Sequence, residues 1–296
     1  MRVLLLGGNG QVGRELRRSL RPLGELIVAT REGAGADLAA DFDAPDALED
    51  LVRSVAPEVV VNAAAYTAVD RAEADAEAAF RVNGVAPAAL ARACAAQGAL
   101  LVHYSTDYVF NGAGERPYRE DDATSPLGAY GASKLAGEQA IRGSGARHVI
   151  LRTAWVYAAH GKNFLLTMLR LGSERDALRV VADQVGAPTP AHWIADATAD
   201  LLRQSDGVSG TWHLTSAGQA SWHEFASAIF EEAHAAGLLA RSPRVEPITT
   251  DQYPTPAKRP AYSVLDTARL RADFGIEPPP WRDGLREVIA QLASGP

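Results

Sequence analysis

A tyrosine and a lysine stand one helical turn apart in Tyr130-Gly131-Ala132-Ser133-Lys134. If this segment is helical, positions i and i+4 share a face, so a phenol and an ammonium converge on one point. A tyrosine keeps its proton at neutral pH, and a nearby cation favours its ionised form. Such a pair suits passing a proton to or from a carbonyl or alcohol oxygen. The spacing alone is common on helix surfaces. Here it lies downstream of a glycine-rich start and of an apolar run ending in Ser105-Thr106, and that combination points to an oxidoreductase.

The glycine-rich start is Gly7-Gly8-Asn9-Gly10-Gln11-Val12-Gly13. It satisfies both Gly8-x-Gly10-x-x-Gly13 and Gly7-x-x-Gly10-x-x-Gly13. Missing side chains let the backbone turn tightly and approach a pyrophosphate, whose charge the following helix N-terminus favours. Between a strand and a helix, this run is the expected dinucleotide cradle. Thr30-Arg31 ends the second strand, where an NAD-selective protein often offers an acidic residue to the ribose. Arg31 either pairs with a 2′-phosphate or is solvated on a loop; the first reading makes NADPH the preferred cofactor, with NADH possible. Asp41 and Phe42 are placed to border the adenine. Ala63, Ala64 and Ala65 are small enough for the ribose and nicotinamide side to approach the third strand, or small only for helix packing.

These residues need a frame that gathers them at one edge. Val3 to Leu6, Leu26 to Thr30, Val59 to Asn62, Leu100 to Tyr104 and His148 to Leu151 read as strands apolar on both faces. Helices are expected at Gln11 to Leu20, across the alanine-rich Val69 to Ala96 with an interruption near Pro87, and from about Tyr130 to Ile141. The alternation predicts an α/β, Rossmann-like, doubly wound parallel sheet. After Arg152 the rhythm becomes irregular. Helices are expected at Asn163 to Leu171, Ile194 to Gln204, Trp222 to Ala236 and Trp281 to Leu292, with strands at Leu178 to Val181 and Trp212 to Leu214. Arg241 to Pro260 is proline-rich. The expected division is a cofactor domain over 1–152 and a smaller, mainly substrate-binding α/β portion over 153–296, with segments returning to pack on the sheet.

The bulk composition narrows the partners. The chain has 296 residues, 47% hydrophobic and 22% charged, with a formal net charge of −7. That acidity argues against a nucleic-acid or anionic-membrane partner. No apolar stretch reaches the roughly 18 residues of a membrane span. Met1 to Leu6 reads as a buried strand rather than an export signal, so a cytoplasmic protein is expected. The single Cys94 excludes an internal disulfide and is expected to pack as a small apolar residue.

With Ser105-Thr106-Asp107 and Tyr130-x-x-x-Lys134 in place, the chain resembles the extended short-chain dehydrogenase/reductases. Within them it is most similar to the members that reduce the 4-keto group of a dTDP-6-deoxysugar. The resemblance runs nearly end to end. It is carried by Gly7 to Gly13, Val61 to Asp70, His103 to Phe110, Ser125-Pro126-Leu127, Arg152 to Tyr157, Asp183 to Thr189 and Pro254 to Pro260. The glycine and Tyr/Lys motifs mark the superfamily only. Val109-Phe110, Trp155-Val156-Tyr157 and Tyr253-Pro254-Thr255-Pro256, in this order, are far more specific.

The resemblance implies roles. Tyr130 is the implied general acid at the C4 oxygen; Lys134 is implied to hold the nicotinamide ribose hydroxyls and lower the tyrosine pKa. Thr106 stands where many relatives use serine, and its hydroxyl can still reach the reacting oxygen. Hydride addition develops negative charge on that oxygen, which two hydroxyls can stabilise and protonate. For the dTDP-sugar, Thr67 and Val69 are implied to line the sugar pocket, Asp107 to position the substrate and Trp155 to contact sugar or nucleotide. Trp155 has the alternative of a core aromatic. Asn163, Gln184 and Arg259 are further ligand-facing candidates, Arg259 either neutralising the diphosphate or forming a surface salt bridge. Some relatives dimerise through glutamate-bound Mg²⁺. Glu15 matches one such position, but His192 and Gln291 stand at the others, so no structural metal is expected and the state is monomer or homodimer. His213 and His223 are expected to be structural. Two rivals stay open: a nucleotide-sugar epimerase or dehydratase with bound NAD, and a non-catalytic NAD(P)-binding regulatory subunit.

Overall fold

Strands without a polar face need cover on both sides, and the fold supplies it. In a computed structural model describing residues 1–295, a seven-stranded parallel sheet is formed by β1 (Arg2–Leu6), β2 (Glu25–Thr30), β3 (Leu38–Ala39), β4 (Val59–Asn62), β5 (Leu100–Thr106), β6 (His148–Thr153) and Gly210–His213. The strand order runs Gly210–His213, β6, β5, β4, β1, β2, β3. The order reverses between β1 and β4, and ligands of such sheets bind outside the carboxyl ends of the strands at that switch point. Gly7 and Ala63, the residues following β1 and β4, meet there.

Helices α1 (Gln11–Leu20), α2 (Pro45–Val55), α3 (Val69–Ala74), α4 (Ala76–Phe80), α5 (Ala86–Gln97) and α6 (Ala129–Gly143) connect the strands of the first half. The sheet's two faces bury separate apolar clusters, one containing Val3, Leu5, Val61 and Val102, the other Leu4, Leu6, Val60 and Leu101. Alternation along each strand sends neighbours to opposite sides. The sequence predicts an interruption or shift near Pro87; the helical run breaks at Asp75 and again through a π-helical turn at Arg81–Val85, just before Pro87. Pro87 lies at the start of α5, which runs on directly from that π-helical turn. Helix α2, which the sequence reading passed over, has Pro45 in its first turn and buries Leu48, Val52 and Val55.

The second half adds β7 (Val156–Tyr157), α7 (Phe164–Glu174), β8 (Ala177–Val181), β9 (Val185–Gly186), β10 (Thr189–Pro190), α8 (Ala191–Leu202), β11 (Gly210–His213), β12 (Ala220–Ser221), α9 (Trp222–Ala235), β13 (Arg244–Ile248), α10 (Ala268–Phe274) and α11 (Trp281–Ala293). Its own apolar cluster joins Tyr157, Leu165, Phe225, Phe230 and Leu285. Two of its elements return to the first half: β11 is the sheet's edge strand, and α8 packs along α1. Asp196 on α8 accepts from Arg18 at 2.8 Å and from Ser19 Oγ at 2.5 Å. The proline-rich stretch contains a strand after all. β13 pairs in parallel with β8 through a register that includes Pro247.

Candidate active site

The glycine turn is shaped by contacts that leave no room for side chains. Gly7 has φ +79°, and a Cβ there would lie 2.6 Å from Ala64 N. A Cβ on Gly13 would fall inside the Gly7 carbonyl oxygen, so Gly13 serves close packing of α1 against the turn. Gly10 caps α1 with no side-chain hydrogen bond, leaving first-turn N–H groups free for an anion. Arg17, a residue with no sequence signal, fastens the turn by donating to Gly8 O at 2.7 Å and to Gly35 O at 2.8 Å.

A cleft of about 670 Å³ opens over this turn and extends to Tyr130 and Lys134. Of the sequence-predicted cofactor residues, Gly7, Gly10, Gln11, Val12, Arg31, Phe42, Ala63, Ala64, Ala65, Tyr130 and Lys134 line it. Gly13 and Asp41 do not. Asp41 is exposed and its Oδ1 accepts from Asp43 N at 3.0 Å, which shapes the loop before α2. Thr67 lines the same cleft, as does Lys162, which the sequence reading passed over. Asn163 brings the Lys162 segment onto the cradle, donating to Gln11 Oε1 at 2.8 Å while its Oδ1 caps α7.

The Tyr/Lys pair sits on α6, and the helix is pressed unusually close to its neighbours. A Cβ at Gly131 would meet Tyr108 O, and one at Gly137 would meet Asn83 O. Asn83, in the π-helical turn, holds both backbone groups of Tyr66 at 2.8 and 3.0 Å and donates to Ser133 Oγ at 3.1 Å. On the sheet side, Glu138 of α6 forms a two-pronged pair with Arg152 of β6 at 2.9 and 2.8 Å. Neither side chain is more than 2% exposed. Burial pushes the Glu138 carboxyl up, but the bonds and charge of Arg152 outweigh it and hold it below its usual range. Arg152 also lies over the Phe110 ring, 5.0 Å from its centroid.

Tyr130 and Lys134 both reach the cleft, yet their electrostatics differ from the sequence expectation. Burial pushes the Tyr130 phenol up to about 12, and the Thr106 hydroxyl pulls the other way. Lys134 does not lower the phenol in this state, because its Nζ is turned to the β5 backbone. It donates to Tyr104 O at 2.6 Å and lies 3.3 Å from His103 Nε2. Burial lowers the ammonium to about 8. A phenol kept protonated is a competent acid toward an oxyanion forming beside it. Thr106 Oγ donates to Asp107 Oδ1 at 2.9 Å and accepts from Tyr108 N at 3.2 Å. Burial pushes Asp107 up to about 6, with the Ser263 and Thr106 hydroxyls opposing.

The remaining candidates take varied places. Val69 begins α3 beyond the cleft lining. Trp155 has φ +47° and stacks on Trp222 at 3.5 Å with 4° between the planes, its other side close to Gly186. Trp155 is half-buried and packs against the apolar cluster of the second half. Arg259 is engaged by Asp70 through two bonds of 2.9 and 2.8 Å, and also by Thr255 and Ala257 O. Gln184 donates to Thr250 Oγ at 3.0 Å. Glu15 contacts His160 at 2.8 Å and His192 contacts Glu287 at 2.7 Å, each on a different surface pairing. Buried His213 has its Nδ1 against Asp266 O, and burial lowers it to about 3.

The family model of the RmlD substrate binding domain matches residues 1–294. The chain belongs to that family. Among RmlD relatives, the dTDP-4-dehydrorhamnose reductase of Burkholderia thailandensis is 50% identical over 304 residues, covering 99% of this chain and 100% of that one. The Escherichia coli K12 enzyme of the same name is 44% identical over 295 residues, covering 99% and 98%. A solved dTDP-4-dehydrorhamnose reductase from Clostridium acetobutylicum superposes with a TM-score of 0.91 at 37% identity, covering 99% of each chain. The Bacillus anthracis enzyme, solved in complex with NADP, superposes with a TM-score of 0.90 at 34% identity over 98% of this chain and 99% of that one.

Proposed function

We propose that this RmlD-family chain reduces the C4 ketone of dTDP-4-dehydrorhamnose to the alcohol of dTDP-L-rhamnose, with NADPH as reductant. The observation that carries the reading is one cleft that joins the glycine turn to Tyr130 and Lys134. The cofactor fits the residues present: Gly7 and Gly10 line the cleft with bare backbone, and the free N–H groups of α1 suit a pyrophosphate. The bound dihydronicotinamide supplies the hydride. Arg31, exposed at the rim of the cleft, takes the 2′-phosphate, and Phe42 borders the adenine.

The protein's part is orientation and proton supply. Thr106 and Tyr130 present two hydroxyls where the C4 oxygen gains charge, and Tyr130 gives up its proton to it. Lys134 holds the nicotinamide ribose hydroxyls from its place against Tyr104 O. Thr67, Val69, Asp107 and Trp155 form the substrate side, within a portion spanning 153–296 together with the ends of β4 and β5. The chain works in the cytoplasm as a monomer or homodimer. No helix among the described residues is long and apolar enough to cross a membrane.

The test is a coupled measurement of cofactor and product. Purified chain given dTDP-6-deoxy-L-lyxo-4-hexulose and NADPH is expected to consume one NADPH per dTDP-L-rhamnose, with the product identified by NMR. Product formed without net NADPH consumption would instead favour an epimerase-like cycle that returns the hydride. No turnover at all would favour the regulatory-subunit reading.

A further inference from the structure

His103 lies fully buried on β5 and belongs to no step described above. Its two ring nitrogens face two different partners: Nδ1 lies 3.0 Å from Asn62 Nδ2, and Nε2 lies 3.3 Å from Lys134 Nζ. The orientation of Asn62 is fixed from outside the pair. Its Oδ1 accepts from Ala64 N at 3.1 Å, which leaves the amide NH₂ pointing at the imidazole. An NH₂ can only donate, so Nδ1 must be the acceptor, and the ring proton of neutral His103 must sit on Nε2. Burial keeps the ring neutral, holding His103 well below its ordinary value, and the neighbouring lysine acts in the same direction.

An Nε2–H aimed at Lys134 has consequences for the lysine. An ammonium has three donors and no lone pair, so it would oppose that N–H. A neutral amine accepts it and still donates to Tyr104 O. We infer that His103, with its tautomer set by Asn62, favours the neutral amine form of Lys134 in the cofactor-free protein, so that at alkaline pH binding the cofactor draws a proton from solvent onto Lys134. The inference rests on the reading of Lys134 as the residue that holds the nicotinamide ribose. Where both ribose hydroxyls accept from Nζ alongside Tyr104 O, three N–H donors are needed, which only the ammonium has. His103 and Asn62 are thus positioning residues that act through Lys134.

The surroundings of Lys134 favour this arrangement. On its own helix it faces Tyr130 and Glu138; from β5 it faces His103 and the Tyr104 carbonyl, with Thr106 and Asp107 at the strand end. Glu138 pulls the lysine toward the charged form, but that carboxylate is already neutralised by Arg152 from β6. Burial pulls the other way and is the larger effect.

The experiment is the dissociation constant of NADPH, followed by fluorescence from about pH 7.5 to 9.5. The 2′-phosphate, with a second ionisation near 6, is fully charged across this range, and Tyr130, at about 12, stays protonated. In the wild type, affinity should weaken above a midpoint near 8, approaching tenfold per pH unit. Asn62→Asp keeps the bond to Ala64 N but reverses the tautomer, because a carboxylate accepts from Nδ1–H and turns Nε2 into an acceptor. His103→Leu removes the N–H altogether. Both should move the midpoint up by about 0.5–1 in pH. A packing role alone would lower thermal stability or weaken binding equally at every pH. Wild-type affinity that is flat with pH overturns the inference, as does a midpoint that neither variant moves. Lys134→Met separates the two readings: weak, pH-independent binding supports Lys134 as the titrating ribose holder, whereas wild-type affinity in that variant removes the ribose role itself.

Discussion

The buried Glu138–Arg152 pair should be worth far more when one partner is removed than when both are. Both side chains are at most 2% exposed, and each charge finds its main compensation in the other. Arg152→Met leaves an uncompensated carboxylate under α6, helped only by the partly exposed Arg142. Stranding one buried charge typically costs about 3–5 kcal/mol. With an unfolding entropy of about 2.1 cal/mol/K per residue over 296 residues, that lowers the Tm by about 5–8 °C. Glu138→Leu should cost a similar amount by stranding Arg152. The double variant should recover most of the loss, since two apolar side chains of similar volume avoid the desolvation of both charges. Differential scanning calorimetry of the four proteins closes the cycle. The folded-state carboxyl is held low, so its stabilisation is present above the unfolded value near 4.5 and is lost as pH falls below it. In Arg152→Met burial raises the stranded carboxyl, so the cost of the variant should shrink as pH falls, beginning above 4.5. Single-variant losses that simply add in the double variant would refute this account of the pair.

Two further predictions concern the site. Arg31→Ala should raise the KM for NADPH by about 10- to 100-fold, the worth of one charge-assisted contact, and leave the KM for NADH nearly unchanged. Equal losses with both cofactors would remove the 2′-phosphate from Arg31. Asp107→Asn should stabilise the fold at pH 7.5 while weakening substrate turnover. The folded carboxyl titrates at about 6 against 3.8 unfolded, so ionising it works against folding as pH rises through that window. The gain should approach about 3 kcal/mol above pH 6 and vanish near pH 4, as read from thermal melts; a Tm difference independent of pH would contradict it.

Much of the frame was written in apolar runs and glycines. Val3 to Leu6, Val59 to Val61 and Leu100 to Val102 announce strands by their unbroken apolar runs, and the glycine turn announced itself between the first strand and α1. The hidden parts depend on tertiary contact. β13 contains Pro247 and lies in a proline-rich stretch, and only its pairing with β8 makes it a strand. The π-helical turn at Arg81–Val85 has no local signature; it places Asn83 where it can hold Tyr66 and Ser133. Arg152 and Glu138 stand 14 positions apart on a strand and a helix, and nothing in their spacing marks a buried pair. The spacing of Tyr130 and Lys134 was legible, but the direction Lys134 takes was not. His103 and the Tyr104 carbonyl decide that, and both are invisible to a motif.

The central claim is that Tyr130 delivers the proton to the reduced ketone. The most direct measurement compares Tyr130→Phe with the wild type in NADPH turnover on the dTDP-4-keto sugar, alongside NADPH affinity by fluorescence. Losing a general acid at this step is expected to lower kcat by about 10²- to 10⁴-fold, while the dissociation constant of NADPH changes by no more than a few-fold. A variant that turns over at close to the wild-type rate would contradict the account.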